Sequence, residues 1–173
     1  LKDIEYYISY GTLLGYCRHR NVLDQDDDVD FSVNIKHKES IRSFITNTGF
    51  SLHVVGDHFL QGRRVINGVD TYIDFYFYEY TEDDSKYSDY IIDRWSFHGQ
   101  EHNPDTDLHM PKDLIFPLRD GKIGDIDVKI PFSVYKYCEY LYGDNYMTPL
   151  DKRKDYRIHL INNKPECTLI NND

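Results

Sequence analysis

The chain has 173 residues, 40% of them hydrophobic and 29% charged, and carries a net charge of −10. That length supports one domain with a real core, and the composition is ordinary globular usage rather than that of a disordered or fibrous chain. The acidic balance argues against a general nucleic-acid binder, because phosphate backbones need basic surface. No apolar run approaches the roughly 20 residues of a membrane-spanning helix, and no signal-peptide pattern is seen. Cys17, Cys138 and Cys167 stand at no metal-ligand spacing and imply neither a disulfide framework nor a zinc module.

Ile4 to Tyr10 is rich in β-branched and aromatic residues and reads as a strand, ended by Gly11-Thr12. Leu13 to His19 then reads as a short helix. A glycine at a strand-to-helix turn lets backbone approach a ligand closely, and the N–H groups that open a helix have no internal partners. Such a turn is a ready anion site, although Gly-Thr by itself is a weak signal and most such turns are merely turns. Arg18, further along the same helix, would add a fork of donors suited to phosphate.

The segment Asp24-Gln25-Asp26-Asp27-Asp28-Val29-Asp30 holds five carboxylates and no basic side chain, and runs into Phe31-Ser32-Val33. At strand periodicity Val29, Phe31 and Val33 share one face, while Asp28, Asp30 and Ser32 share the other. Two like charges about 4 Å apart cost on the order of 1 kcal/mol in water and about 4 kcal/mol at a semi-buried site. Stacking them at a strand end is poor for stability but suits a divalent cation, magnesium above all, which favours carboxylate oxygens and phosphate. The plain alternative is a solvated acidic loop. A calcium-binding EF-hand loop begun at Asp24 fails, since it needs Gly where Val29 stands and Glu where Ile35 stands.

Lys38 to Asn47 sets Ile41, Phe44 and Ile45 on one helical face and stops at Gly49. Ser51 to Val55 and Phe59 to Ile66 read as strands, with Arg63 and Arg64 as surface charges rather than partners of the acidic site. Val69 to Tyr78 is the strongest strand, with Ile73, Phe75 and Phe77 on one face and Asp74 on the other. Among so many aromatics an unpaired Asp74 is costly, so it wants a partner. If this strand lies beside that of Asp28 and Asp30, three carboxylates converge within about 4 to 7 Å, enough to hold two metal ions for in-line displacement at phosphorus. A hydrogen-bonded carboxylate on an edge strand is the alternative.

Tyr90 to Phe97 is a further candidate strand. His98, His102 and His109 with Asp105 and Asp107 read as a polar surface loop. Ser133 to Tyr142 reads as a helix with Val134, Tyr137, Cys138 and Leu141 inward and Gly143 as its stop, and residues 163–173 read as a loose tail. The alternation of elements implies an α/β (α+β) domain, a mixed sheet flanked by helices.

Gly11-Thr12-Leu13-Leu14-Gly15, Arg18-His19 and Asp26-Asp27-Asp28-Val29-Asp30 together resemble the signature of the LicD and fukutin-related family, within the nucleotidyltransferase-like superfamily. Phe116-Pro117-Leu118-Arg119, Gly124-Asp125-Ile126-Asp127-Val128 and Tyr142-Gly143-Asp144-Asn145-Tyr146-Met147-Thr148-Pro149 are similar to the family's closing segments. The middle of the chain matches poorly, and Leu23-Asp24-Gln25 stands where members usually carry an aromatic residue.

The resemblance implies a nucleotidyltransferase-like fold over residues 1–162. It also implies a phosphotransferase that moves a phosphoalcohol, such as phosphocholine or ribitol phosphate, from a CDP-activated donor to a glycan hydroxyl. On this reading Asp28, Asp30 and Asp74 are catalytic and bind two Mg2+ (or Mn2+) ions, Gly11, Thr12 and Arg18 hold the donor diphosphate, and Asp26 lies beside it. The alternatives are transfer of NMP from an NTP, and a non-catalytic metal-binding or degenerate family member. Bacterial relatives act in the cytoplasm and animal ones in the secretory pathway, so the resemblance does not choose a compartment. Family members usually have a helix before the first strand, so a chain beginning at Leu1 is expected to be a piece of a longer protein.

Overall fold

The computed structural model describes residues 3–24, 26–81, 88–94, 107–149, 155–161 and 164–170. In chain order its elements are β1 (Tyr6–Ile8), α1 (Tyr10–His19), β2 (Asp30–Asn34), α2 (Lys38–Asn47), β3 (Ser51–Val55), β4 (Phe59–Ile66), β5 (Val69–Tyr80), β6 (Tyr90–Arg94) and β7 (Asp107–Pro111). There follow α3 (Lys112–Ile115), β8 (Arg119–Ile123), β9 (Ile126–Ile130), α4 (Val134–Tyr142), β10 (Asp155–Ile161) and β11 (Lys164–Ile170).

Strands β1 to β7 form one mixed sheet organised around β5. β2 runs parallel to β5, in register from Asp30 opposite Asp74 to Asn34 opposite Tyr78. β4 runs antiparallel along Val69–Tyr76, and β6 antiparallel along Tyr78–Tyr80. β5 is therefore a central strand, and its alternation fills two cores, one on each face. Phe75 and Phe77 pack with Val33, Leu60, Ile41 and Ile45 under α2. On the other side Tyr78 joins Tyr7, Leu13, Tyr16, Tyr137 and Leu141 beneath α1 and α4. Cys17 and Cys138 meet there as free buried thiols, their sulfurs 3.2 Å apart.

The helices carry the faces that their spacing predicts. Ile41 and Ile45 are buried on α2, which ends before Gly49 at φ +81. Val134, Tyr137, Cys138 and Leu141 are buried on α4, which ends at Gly143 with φ +78. Both glycines occupy the left-handed conformation that other residues reach only with strain.

Several elements differ from the sequence reading. α1 begins at Tyr10 instead of Leu13, so Gly11 and Thr12 lie inside its first turn, and β1 stops at Ile8. The Leu13 N–H donates to Ser9 O at 2.9 Å, which closes the helix one turn earlier. β6 covers Tyr90–Arg94, the rest of its expected range lying outside the described residues. Asp107 and His109 sit on β7 rather than on a surface loop, because β6 gives that segment a pairing partner; His98, His102 and Asp105 lie outside the described residues. Within 163–173, residues Lys164–Ile170 form β11, paired with β10 so that Ile161 faces Lys164. Two residues, Asn162 and Asn163, separate the strands, a spacing and composition suited to a tight hairpin. No helix of the described residues is long and apolar enough to cross a membrane.

Candidate active site

The parallel register that sets Asp30 opposite Asp74 brings the acidic segment onto the face of β5 turned away from Phe75. The pairing extends back along the chain. Tyr72 N–H donates to Asp27 O at 2.8 Å, Val29 N–H to Tyr72 O at 3.2 Å, and Asp74 N–H to Val29 O at 2.9 Å. As a result Asp28, Asp30 and Asp74 each offer a carboxylate oxygen, and these oxygens all lie within 4.8 Å of one another. Asp30 and Asp74 are buried, at 5% and 4% exposure, and Asp28 is half-buried.

Burial first, and crowding second, raise the carboxyl groups of Asp26, Asp28, Asp30 and Asp74. Burial pushes Asp30 well above the usual carboxylate range, with Asp28, Asp74 and Asp26 adding repulsion against the help of the Thr12 N–H. Burial holds Asp74 up at about 7, with Asp28 and Asp27 adding repulsion and Gln61, its neighbour on β4, favouring the ionised form. Asp28 is raised by burial and by Asp27. Asp26 is exposed as a residue, yet protein around its carboxylate, then Asp28 and Asp27, raise it to about 6.

The donor set suits a hard divalent cation. Three carboxylates converge, Asp74 Oδ1 has no hydrogen-bond partner, and among the described residues no Lys, Arg or His pairs with any of the three. Magnesium and manganese prefer such oxygen ligands, and a cation would return the carboxylates to their ionised forms.

The residues read as a phosphate cradle are occupied differently. The Thr12 N–H donates to Asp30 Oδ2 at 3.2 Å, and the Thr12 hydroxyl accepts from Asp30 N–H at 2.7 Å, so Thr12 fixes Asp30 from both its ends. Gly11 presses against two carboxylates: a Cβ there would lie 3.2 Å from Asp30 Oδ2 and 3.3 Å from Asp26 Oδ2. Arg18 is turned toward the segment after α4, where Nε donates to Tyr146 O at 2.8 Å and Nη2 to both Tyr146 O and Thr148 O. Arg63 pairs with Asp70 and Arg64 reaches Thr48 O, which leaves both on the surface.

Arg18→Ala is therefore expected to loosen the segment Gly143–Pro149 even without substrate. The lost charged hydrogen bonds, partly exposed, are worth about 1–2 kcal/mol, seen as a lower melting temperature and faster amide exchange around Tyr146. Lys at this position should restore only part of it, since it lacks the planar fork.

Three further side chains border the cluster. Tyr76 lies on the carboxylate face between Asp74 and Tyr78, and its phenol is raised first by burial and then by Asp30 and Asp74. Tyr10 packs its ring on Tyr76 at 4.5 Å and donates its hydroxyl to Asp93 Oδ2 at 2.5 Å. Asp93, on β6 opposite Tyr78, is buried with Oδ1 unpartnered. The two-residue period of β5 places Tyr76 beside Asp74 from sequence alone, whereas Asp93 has no local signal.

Burial holds Asp93 up at about 6, the Tyr10 hydroxyl opposing the shift and Asp107 adding to it. A carboxyl raised above its unfolded value binds more protons folded than unfolded, so it makes the fold less stable as pH rises from about 4 to 6. This group alone should cost roughly 2–3 kcal/mol across that window, and the decline should flatten in Asp93→Asn when melting is followed against pH.

No curated protein matches the chain. Among solved structures, the crystal structure of the lincosamide antibiotic adenylyltransferase LnuA with lincomycin bound is similar over 75% of this chain and 71% of that one, with 11% identity and a TM-score of 0.49. The family model described as LicD/FKTN/FKRP, nucleotidyltransferase domain, matches residues 3–133, which takes in both acidic strands and the helix between them and β1, and the chain belongs to that family.

Proposed function

We propose that this chain is a metal-dependent phosphotransferase that moves a phosphoalcohol from a CDP-activated donor to a glycan hydroxyl and releases CMP. The observation that carries the reading is the convergence of Asp28, Asp30 and Asp74 within 4.8 Å, two of them buried and no basic side chain paired with them among the described residues. Membership of the LicD family supports a transferase. Bound at these carboxylates, Mg2+ or Mn2+ would neutralise charge on the donor's diphosphate.

The chain's own residues supply positioning, which is most of what phosphoryl-group transfer needs. Thr12 fixes the orientation of Asp30, and Gln61 supports ionised Asp74. Asp28, the half-exposed member, meets the acceptor and takes its hydroxyl proton at a carboxylate oxygen. The absent side chain at Gly11 lets the start of α1 pack directly against the Asp30 and Asp26 carboxylates, which a Cβ there would crowd. Arg18 reaches the donor by exchanging the carbonyls of Tyr146 and Thr148 for phosphate oxygens, which couples donor binding to the segment after α4.

Divalent cations should raise the melting temperature of the protein, and Asp28→Asn or Asp30→Asn should remove most of the gain. A melting curve that Mg2+, Mn2+ and Ca2+ all leave unchanged, even with nucleotide, would refute the site. The family model's description as a nucleotidyltransferase domain favours one other reaction, transfer of NMP from an NTP by the same carboxylates. Incubation with CDP-alcohols, NTPs and Mg2+, read by mass spectrometry, separates the two. CMP release supports the phosphoalcohol reading, pyrophosphate release replaces it with nucleotidyl transfer, and no turnover of any donor rejects both.

A further inference from the structure

Tyr10 is the first residue of α1 and has φ +42, a left-handed conformation that a bulky side chain adopts only when its surroundings enforce it. Two contacts enforce it. Its hydroxyl is held at 2.5 Å by the buried Asp93 of β6, 83 residues away in sequence, and its ring lies on Tyr76. One residue later Gly11 leaves room for the Asp30 and Asp26 carboxylates, and two residues later Thr12 grips Asp30 through both N–H and hydroxyl. Asp93 is poorly chosen for stability alone, since it is 2% exposed and its Oδ1 has no partner.

We propose that Tyr10 and Asp93 form a positioning pair that pins the start of α1 so that Thr12 presents Asp30 to the cation in the orientation it needs. The inference rests on the reading of Asp28, Asp30 and Asp74 as a cation site. Asp93 and Tyr10 touch neither cation nor substrate; they act through Thr12. The chain of contacts links β6, α1 and β2; the two strands do not pair with each other, and each pairs with β5. Without the pair, the strained turn relaxes, Thr12 withdraws, and Asp30 loses the groups that fix its rotamer.

The test is Mn2+ binding measured by calorimetry on the full chain for wild type, Tyr10→Phe, Asp93→Asn and the double variant. It is accompanied by metal-free melting and by amide exchange at Thr12 and Asp30. Tyr10→Phe keeps the ring and removes the bond, so Mn2+ affinity should fall about 10-fold or more. The Thr12 and Asp30 amides should exchange faster than the rest of the protein, and the metal-free melting temperature should fall only as far as the loss of one buried hydrogen bond to Asp93 explains. Asp93→Asn keeps an acceptor oxygen for the Tyr10 hydroxyl and loses only the charge, so it should act in the same direction but less strongly, and the double variant should bind no more weakly than Tyr10→Phe, because both act on one device.

Tyr10→Phe binding Mn2+ within about twofold of wild type would overturn the inference. So would an affinity loss accompanied by faster exchange throughout the protein, which marks a purely structural role. If Asp93→Asn does not fold, Tyr10→Phe decides by itself. Wild type that fails to bind Mn2+ removes the cation site and this inference with it, whereas wild type that binds beside an unaffected Tyr10→Phe removes this inference alone.

Discussion

Asp74→Asn is expected to reduce turnover about 100- to 1,000-fold while leaving the fold intact. A carboxylate that helps hold a cation against developing charge contributes several kcal/mol to the transition state, and each 1.4 kcal/mol or so is a factor of ten in rate. The amide fits the same space between Gln61 and Asp30 but carries no charge for the cation. Stability should move the other way. Burial and repulsion already hold Asp74 at about 7, so in metal-free protein at neutral pH its ionised form is disfavoured by the fold. The variant should therefore melt at or above the wild-type temperature without metal and gain little when Mg2+ is added. Turnover assays beside melting curves check both halves, and wild-type turnover in the variant would end the three-carboxylate account.

One residue further on, the opposite result is expected. Phe75 is fully buried on the other face of β5, its ring stacked on Phe31 at 5.4 Å and met edge-on by Phe44 at 6.2 Å. Phe75→Ala should destabilise the protein by about 3–5 kcal/mol, because the transfer free energy of the ring is lost and packed neighbours collapse only partly into the cavity. Denaturant unfolding measures this directly. A loss under about 1 kcal/mol would mean that the sheet packs otherwise, since even an Ile-to-Val deletion in a tight core costs that much.

The contrast between Asp74 and Phe75 is legible in sequence because strand periodicity has only two phases. Once Phe75 and Phe77 are assigned to a core, Asp74 faces the other way, and a one-residue slip would push the carboxylate into that apolar core and an aromatic ring into the acidic cluster. The same logic aligned Phe31 and Val33 with them and left Asp28 and Asp30 opposite. The parallel pairing of β2 with β5, which turns two acidic faces into one cluster, agrees with that parity. α2 and α4 were legible for a similar reason, each having a periodic apolar face and a glycine past its end.

Contacts between distant segments were not legible. The start of α1 depends on Thr12 meeting Asp30, and nothing within residues 8–14 announces that acceptor. Arg18 has the chemistry of a phosphate ligand, but its donors are taken by carbonyls 128 and 130 residues away. Asp93 looks like one more polar residue on a strand until the fold buries it against Tyr10. The antiparallel pair of β10 and β11 is a different case, since the Asn162-Asn163 dipeptide is a local sequence signal outweighed by the polar character of the segment.

The most direct measurement is anomalous diffraction from a crystal of the protein soaked in Mn2+. The account predicts anomalous density between the carboxylates of Asp28, Asp30 and Asp74, with Mn–O distances of about 2.0–2.4 Å and Thr12 still bonded to Asp30. Saturating Mn2+ that leaves this cluster without density, or that binds only elsewhere on the protein, would contradict it.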